Sequence, residues 1–255
     1  MDLLEKAKAG VTKALGKRDR ALVHVVGAID DNNKAANLLF ERLSEWYGIY
    51  FPEMKINEPD KYCQLVAVFD KNNVDFGQII GIVGKEKAKE LERRAKESIG
   101  IDLKDEDSYI IKETARKIHG LYELREELER YQEMLAGEVC PNLVHLVDAG
   151  LAAKLVARAG SLDKLARMPA STVQVLGAEK ALFKHLKKHS KPPKHGLIFQ
   201  HPYISGAPKK QRGKLSRALS AKIAIAVKAD AYTRNFIADK LKKDFDKRAN
   251  AIRGM

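Results

Sequence analysis

Apolar residues recur at helical spacing along most of the chain. Between residues 20 and 50 they lie three, four or seven positions apart, the pattern of a helix with one apolar face. These positions are Ala21, Val25, Ile29, Ala36, Leu39, Leu43 and Trp46. The same spacing predicts helices over residues 75–98 and 108–136, joined by the short sequence IGIDLKDED. The pattern therefore predicts an all-α fold.

The run over residues 108–136 has apolar positions near heptad spacing, with Glu, Lys and Arg between them. They are Ile111, Ala115, Ile118, Tyr122, Leu124, Leu128, Tyr131 and Leu135. Because its turn to the run over residues 75–98 is short, we expect the two helices to form a long antiparallel coiled-coil hairpin. A plain helical bundle is the alternative that this pattern leaves open. A narrow apolar seam with charged flanks also predicts self-association.

The composition changes after Gly137. The sequence EVCPNLVHLVDAGLAAKLVARAGSLDKLARMPAS is rich in Ala, Leu and Val, as expected for tightly packed, buried helices. We therefore predict three parts: a linker helix over residues 1–20, a coiled-coil dimerisation domain over 21–138 and a compact helical domain over 139–255.

Positive charge is confined to the C-terminal part of the chain. Residues 1–150 contain 23 Lys and Arg against 28 Asp and Glu, a net charge of −5. Residues 151–255 contain 24 against 6, a net charge of +18. So uneven a distribution favours a polyanionic partner, with nucleic acid as the first choice and a solvated basic surface as the alternative.

Two predicted helices carry this charge on one face each. Lys180, Lys184, Lys187 and Lys188 share a face of the first, with Leu182 and Leu186 expected on its core side. In the second helix, Lys210, Lys214 and Arg217 face away from Leu215, Leu219, Ile223 and Ala226. Between them, residues 190–211 form a long connection with four prolines, and its apolar part has β-like composition. The pattern predicts a surface large enough for a nucleic-acid backbone.

Gly177 precedes the first of these helices. Inside a helix, a glycine costs about 1 kcal/mol relative to alanine. With Ala178 it leaves a bare patch beside the lysines where a phosphate can approach the backbone. If the helix begins near Gly177, its free N–H groups bind an anion instead. Close packing between helices is the alternative that needs no ligand.

The sequence disfavours several other functions. P-loop, GxSxG and dinucleotide motifs are absent, so we expect no enzyme activity and no cofactor. Cys63 and Cys140 form no CxxC pair, and His185 and His189 lie among lysines without carboxylates, which disfavours a metal. The chain has no run of about 18 apolar residues and no secretory N-terminus, which predicts a cytoplasmic, intracellular protein.

Four segments of the basic half carry a specific resemblance. They are, in order, MPAS, VQVLGAEKALFKHLK, GLIF and QRGKLSRALSAKIAIAVKAD. This order resembles the Nop domain, and in particular the archaeal Nop proteins of box C/D guide-RNA ribonucleoproteins. The segment ELREELERYQ looks like the coiled-coil domain of that family. The resemblance implies an all-α protein that dimerises through a coiled-coil hairpin and binds RNA with a compact C-terminal Nop domain.

The resemblance also implies which residues contact RNA. The GAEK motif spans residues 177–180, and the following ALFK has Lys184 where relatives often have arginine, which keeps the charge but loses the bidentate fork. Independently of the resemblance, the basic stretch itself adds Lys187, and His201 is expected to contact or stack on a base. The full predicted set is Gly177, Ala178, Glu179, Lys180, Lys184, Lys187, His201, Lys209, Lys210, Gln211, Arg212, Lys214 and Arg217.

The implied partners are a box C/D guide RNA and a kink-turn-binding protein of the ribosomal type. The scaffold supports 2'-O-methylation by fibrillarin, a separate enzyme that uses S-adenosylmethionine. Fibrillarin binds an N-terminal domain of family members, and we expect this chain to start at the linker after that domain and so to lack it. The chain also has no lysine-rich tail of the eukaryotic kind, which favours an archaeal source. A spliceosome-type Nop protein that assembles a small nuclear ribonucleoprotein is the alternative.

Overall fold

The computed structural model describes Glu5, residues 17–188 and residues 191–254, and these residues form helices without a strand. The predicted all-α fold is thus confirmed, and the stretch with β-like composition is helical. The helices are α1 (Arg18–Tyr50), α2 (Pro59–Val68), α3 (Phe76–Val83), α4 (Lys85–Lys96), α5 (Asp105–Val139), α6 (Pro141–Val147), α7 (Ala149–Ala159), α8 (Leu162–Arg167), α9 (Ala170–Val175), α10 (Glu179–Lys188), α11 (Pro202–Ser205), α12 (Lys209–Lys228) and α13 (Ala238–Arg253). A 3₁₀ turn covers Leu197–Gln200 and a π-helical turn covers Ala229–Thr233.

The chain divides into two compact units. The first contains the chain up to Ala28 and from Leu128 onward, and the second contains Ile29–Glu127. The predicted domain boundaries after residues 20 and 138 do not coincide with these divisions, and they stay predictions. Of the predicted linker over residues 1–20, residues 1–4 and 6–16 lie outside the described part of the chain.

The second unit is built on an antiparallel pair formed by α1 and α5. Asn32 of α1 donates a side-chain hydrogen bond to the Leu121 carbonyl at 2.8 Å. Further along α1, the Ile49 carbonyl accepts the N–H of Ile101, which lies just before α5, at 3.1 Å. The residue number rises along one partner and falls along the other, as in an antiparallel hairpin. The buried positions between them include Leu43 and Tyr47 of α1 with Ile111, Ala115 and Ile118 of α5, all in one apolar core.

The arms of this pair differ from those expected. The predicted helix over residues 75–98 is two helices, α3 and α4, because Gly84 lies between them with φ +80 and its N–H closes α3 on the Ile80 carbonyl. Helix α5 begins at Asp105, before the expected start at Ser108. In α5, Leu124 and Tyr131 of the predicted heptad set are 43% and 38% exposed. With the contacts of Asn32 and Ile49, the partner of α5 in this unit is α1 and not a single helix over residues 75–98.

The first unit is organised around α12. Its residues Leu215, Leu219, Ile223 and Ala226 are fully buried, as the spacing predicted. Helix α12 packs against α6, α8, α9 and α13. Small and aliphatic residues of α7 are also buried, among them Ala152, Ala153 and Leu155, which confirms that packed helices follow Gly137. Within residues 17–188 and 191–254, no helix combines the length and apolar content needed to cross a bilayer.

The end of α12 is fixed by a buried polar network. The Asp230 carboxylate is fully buried and accepts hydrogen bonds from the Asn142 backbone (3.0 Å), the Asn142 side chain (2.8 Å) and the Leu143 backbone (3.0 Å). Asn142 in turn accepts the Ile237 N–H at 2.7 Å. Asp230 therefore supplies the acceptors for the first turn of α6 and ties it to the π-helical turn.

Candidate nucleic-acid interface

Helix α10 presents a row of uncompensated lysines. Lys180, Lys184 and Lys187 are exposed, and no ion pair to any of them is found among the described residues. No residue of α10 is buried in the core. Phe183 is 62% exposed and Leu186 is 65% exposed, so the prediction that Leu186 faces the core was wrong. Apolar and cationic side chains are thus both open to solvent along this helix.

Gly177 lies between α9 and α10 in a conformation that suits glycine. Its φ is +89, and a Cβ added there would be 2.6 Å from Leu197 Cγ. Its N–H donates to Glu179 Oε1 at 2.8 Å. Helix α10 begins at Glu179, so Gly177 is not inside a helix. Close packing explains this glycine, and its N–H is already used by a carboxylate.

Glu179 forms a bidentate ion pair with Arg158. Its carboxylate accepts from Arg158 Nε at 3.0 Å and from Arg158 Nη2 at 2.5 Å. Hydrogen bonding from Arg158, with a smaller contribution from the Gly177 N–H, lowers the pKa of Glu179 to about 2. The carboxylate predicted to contact RNA is therefore engaged within the protein, whereas Lys180, the next residue, is exposed. Ala178 is half-buried, and its N–H donates to the Val175 carbonyl at 2.9 Å.

The described part of the connection after α10 is held against α9. Gln174 accepts the Gly196 N–H on its carbonyl at 2.9 Å and donates from its side chain to the Lys194 carbonyl at 2.8 Å. Leu197 donates its N–H to the Leu176 carbonyl at 2.7 Å. These bonds hold residues 194–197 against the end of α9.

Helix α12 supplies the second basic face. Lys209, Lys210, Lys214 and Arg217 are exposed, while Gln211 and Arg212 are half-buried. Arg212 donates to the carbonyls of Ala207 (2.8 Å) and Ser205 (3.1 Å), and its guanidinium lies 5.2 Å from the centre of the Phe199 ring. Arg212, which was predicted to contact RNA, therefore fastens the loop to the start of α12.

His201 is placed in the core. Only 8% of the residue is exposed, and its ring stacks on Tyr203 with centroids 5.6 Å apart and meets Phe245 edge to face. Its Nδ1 accepts the Tyr203 N–H at 3.3 Å, and burial lowers the pKa of the imidazole. A ring enclosed on both sides offers no face to a base, so this geometry is against the predicted base contact.

The histidines considered for metal binding do not form a ligand set. His189 lies outside the described residues, and His185 is half-buried on α10. Within the described part of the chain, no group of three or more His, Cys, Asp and Glu side chains is placed to hold a metal ion.

The comparison with known families gives a match over most of the chain. The sequence profile of the Nop family, described as "snoRNA binding domain, fibrillarin", matches residues 28–251. The chain belongs to the Nop family. It is 44% identical over 252 residues to an uncharacterised NOP5 family protein of Methanocaldococcus jannaschii, covering 98% of the chain and 61% of that protein. The resemblance seen in the GAEKALF segment is therefore confirmed at the level of the family.

Eukaryotic members of the Nop family are similar over most of the same region. Nucleolar protein 58 of Coccidioides immitis is 38% identical over 218 residues, which cover 84% of the chain and 36% of that protein. Nucleolar protein 56 of Caenorhabditis elegans is 36% identical over 225 residues, 84% of the chain and 46% of that protein. The chain thus spans less than two thirds of the length of these curated relatives.

A solved structure supports the fold. A crystal structure described as a fibrillarin/Nop5p complex matches with a TM-score of 0.58 at 28% identity, covering 96% of the chain and 74% of the matched chain. The likeness extends over both units of the Nop-family chain and is consistent with an all-α Nop fold.

Proposed function

We propose that this chain is an RNA-binding scaffold of box C/D guide ribonucleoproteins. The observation that carries the proposal is the pair of basic faces on α10 and α12, with residues 194–197 between them held against α9. Lys180, Lys184, Lys214 and Arg217 are exposed without an acidic partner among the described residues. Cations of this kind neutralise phosphates and release counterions, which gives affinity that falls steeply with salt.

A kink-turn RNA presented by its kink-turn-binding protein is the proposed ligand. Lysines that contact phosphates discriminate little between sequences, so specificity has to come from the shape of the RNA and from a second contact. The exposed Phe183 and Leu186 beside the lysines of α10 suit such a contact, because apolar side chains gain free energy when a protein partner or an unstacked base covers them. The surface thus combines groups for RNA with groups for a protein.

Self-association is the second element of the proposal. Leu38 is 60% exposed and Ile49 is 54% exposed, and the separation of 11 residues is close to three helical turns, so both lie on one face of α1. Leu39 and Trp46, seven residues apart, lie beside them and are 43% and 39% exposed. An apolar stripe on a long helix pair favours pairing with a second copy. A dimer would space two RNA-binding faces on one scaffold.

The chemistry of methylation belongs to fibrillarin in this proposal. The role of the present chain is to hold the guide RNA so that the methyltransferase reaches the target RNA. The names of the relatives, a NOP5 family protein and nucleolar proteins 56 and 58, support the guide-RNA class over a spliceosome-type role.

A gel shift with three arms tests the proposal. The chain is added to kink-turn RNA alone, to the kink-turn-binding protein alone and to the complex of the two, at low and at moderate salt. We expect strong retardation only of the RNA–protein complex, with affinity that decreases as salt is raised. Equal binding to an unrelated duplex and to the complex would contradict the proposal, as would modification of the RNA by this chain alone.

A further inference from the structure

Helix α10 presents lysines proposed to contact RNA, yet none of its ten residues is buried. Protein helices of this length owe most of their stability and direction to the packing of an apolar face. In α10 that face is largely open: Phe183 and Leu186 are more than half exposed, and Leu182 is half-buried. The contacts at the N-terminal end of α10 therefore contribute strongly to its direction.

Those contacts converge on the carboxylate of Glu179. Oε1 accepts from both Arg158 Nε (3.0 Å) and the Gly177 N–H (2.8 Å), and Oε2 accepts from Arg158 Nη2 (2.5 Å). Two parallel bonds between a guanidinium and a carboxylate fix the plane as well as the distance of the pair. The bond from Gly177 also ties the same carboxylate to the turn that precedes α10.

Arg158 binds Glu179 from a helix whose position is set by buried residues. It lies in α7, where its neighbours Leu155, Val156 and Ala159 are buried. The side chain of Glu179 is 35% exposed and that of Arg158 is 53% exposed, so the pair is at the surface, where neither charge has to be desolvated fully. The low pKa of Glu179, about 2, keeps the carboxylate ionised at any pH suited to RNA binding.

We infer that Arg158 is a positioning residue which, through Glu179, sets the direction of α10 and hence the position of Lys180 and Lys184 on the RNA. Glu179 in this account contacts Arg158 and Gly177, and does not contact RNA. The inference rests on the proposed function and adds to it a residue outside the GAEK motif.

The inference predicts an effect opposite to simple electrostatics. Removing a carboxylate from a face that binds a polyanion ordinarily tightens binding, because a repulsive charge is lost. Glu179→Gln should instead weaken binding to the kink-turn RNA–protein complex by about tenfold, since charge-assisted bonds that hold α10 are lost. Arg158→Gln should weaken it by a similar factor.

A double-mutant cycle in the same gel shift tests whether the two residues act as one unit. The variant with both Arg158→Gln and Glu179→Gln should bind no more weakly than either single variant, because either substitution alone already breaks the ion pair between the two residues. Arg158→Lys should be intermediate, since lysine keeps the charge without the fork. As a matched control, Asp163→Asn removes a carboxylate that pairs with Arg167 at 2.8 Å in the same unit, and should leave binding unchanged.

Two outcomes of the binding assay would overturn the inference. Tighter binding by Glu179→Gln would mean that the carboxylate only repels RNA. Weaker binding by Glu179→Gln together with unchanged binding by Arg158→Gln would mean that Glu179 contacts the RNA directly.

Hydrogen exchange on the free chain gives a readout that needs no RNA. The amides of residues 182–188 should exchange faster in Arg158→Gln and Glu179→Gln than in the unsubstituted chain, while those of α12 stay unchanged. Unchanged exchange over residues 182–188 would overturn the inference. If the unsubstituted chain itself fails to bind the kink-turn complex, the proposed function fails. The exchange result still shows whether the ion pair between Arg158 and Glu179 holds α10.

Discussion

The backbone of Gly196 lies directly against the carbonyl oxygen of Leu176. A Cβ added to Gly196 would be 2.0 Å from that oxygen, and the neighbouring Leu197 N–H donates to the same oxygen at 2.7 Å. Only a residue without a side chain allows two backbone segments to approach so closely. The contact holds residues 196 and 197 against the end of α9.

We therefore expect Gly196→Ala to lower the free energy of unfolding by about 1–3 kcal/mol, because the loop has to move away from α9 to admit the methyl group. Urea denaturation measures this change. Gly137→Ala is the matched control: Gly137 lies within α5 and an added Cβ meets nothing within 4 Å, so the substitution should be neutral or stabilising by up to about 1 kcal/mol. Equal stability of the Gly196→Ala variant and the unsubstituted chain would show that the loop is not fixed by this contact.

The helical content and the core of α12 were predictable because they follow from local periodicity. Leu215, Leu219 and Ile223 have helical spacing, and all three are buried. The break at Gly84 was missed because the apolar spacing continues across it, and only the positive φ of this glycine reveals the end of α3. The same limit applies to Leu186, whose spacing is that of a core residue although no other element covers it.

The exposed lysines of the candidate site could be predicted from the sequence, whereas the ion pair within the site could not. Lys180, Lys184 and Lys214 were found from spacing alone, and they are exposed. The pairing of Arg158 with Glu179 joins residues 21 positions apart, and such contacts between distant helices leave no periodic signal. His201 was expected to contact a base as one of the histidines in the basic stretch 177–205, yet the aromatic contacts with Tyr203 and Phe245 bury it.

Asp230 is expected to be essential for stability. Asp230→Ala leaves the backbone N–H groups of Asn142 and Leu143 without their acceptors inside the protein, so it should lower the free energy of unfolding by about 3 kcal/mol or more. Guanidinium denaturation measures the loss. Asp239→Ala serves as the control, since that carboxylate is exposed and its ion-pair partner among the described residues is His145, and its effect should stay within about 0.5 kcal/mol. Similar losses in both variants would contradict the role assigned to the buried network.

Burial of His201 predicts a pH dependence of stability. Burial lowers the pKa of the imidazole below its ordinary value of 6.5, so the unfolded chain takes up the proton more readily than the folded one. The stabilisation is therefore present above pH 6.5 and is lost as pH falls through the lowered pKa. We expect the unsubstituted chain to lose more free energy of unfolding between pH 7.5 and pH 5 than the His201→Gln variant does. A pH dependence that is the same in both would contradict the assignment.

The apolar stripe on α1 predicts the oligomeric state. Replacing Leu38 and Ile49 together by glutamate places charges on the stripe without entering the core, since both side chains are more than half exposed. Light scattering should show a dimer for the unsubstituted chain and a monomer for this variant. Ile225→Glu, at a residue 46% exposed in the other unit, should remain a dimer. A strict monomer for the unsubstituted chain at high concentration would contradict the proposed self-association.

The most direct test of the RNA-binding face is a gel shift of the kink-turn RNA–protein complex with paired substitutions. Lys180→Ala combined with Arg217→Ala should weaken binding by roughly tenfold or more and reduce the salt dependence by about two phosphate contacts, because each cation neutralises one phosphate. Lys85→Ala combined with Lys89→Ala removes the same charge from exposed positions of α4 and should leave binding unchanged. The proposed face predicts a loss in the first variant only, with both variants folded; equal affinities for the two would contradict it.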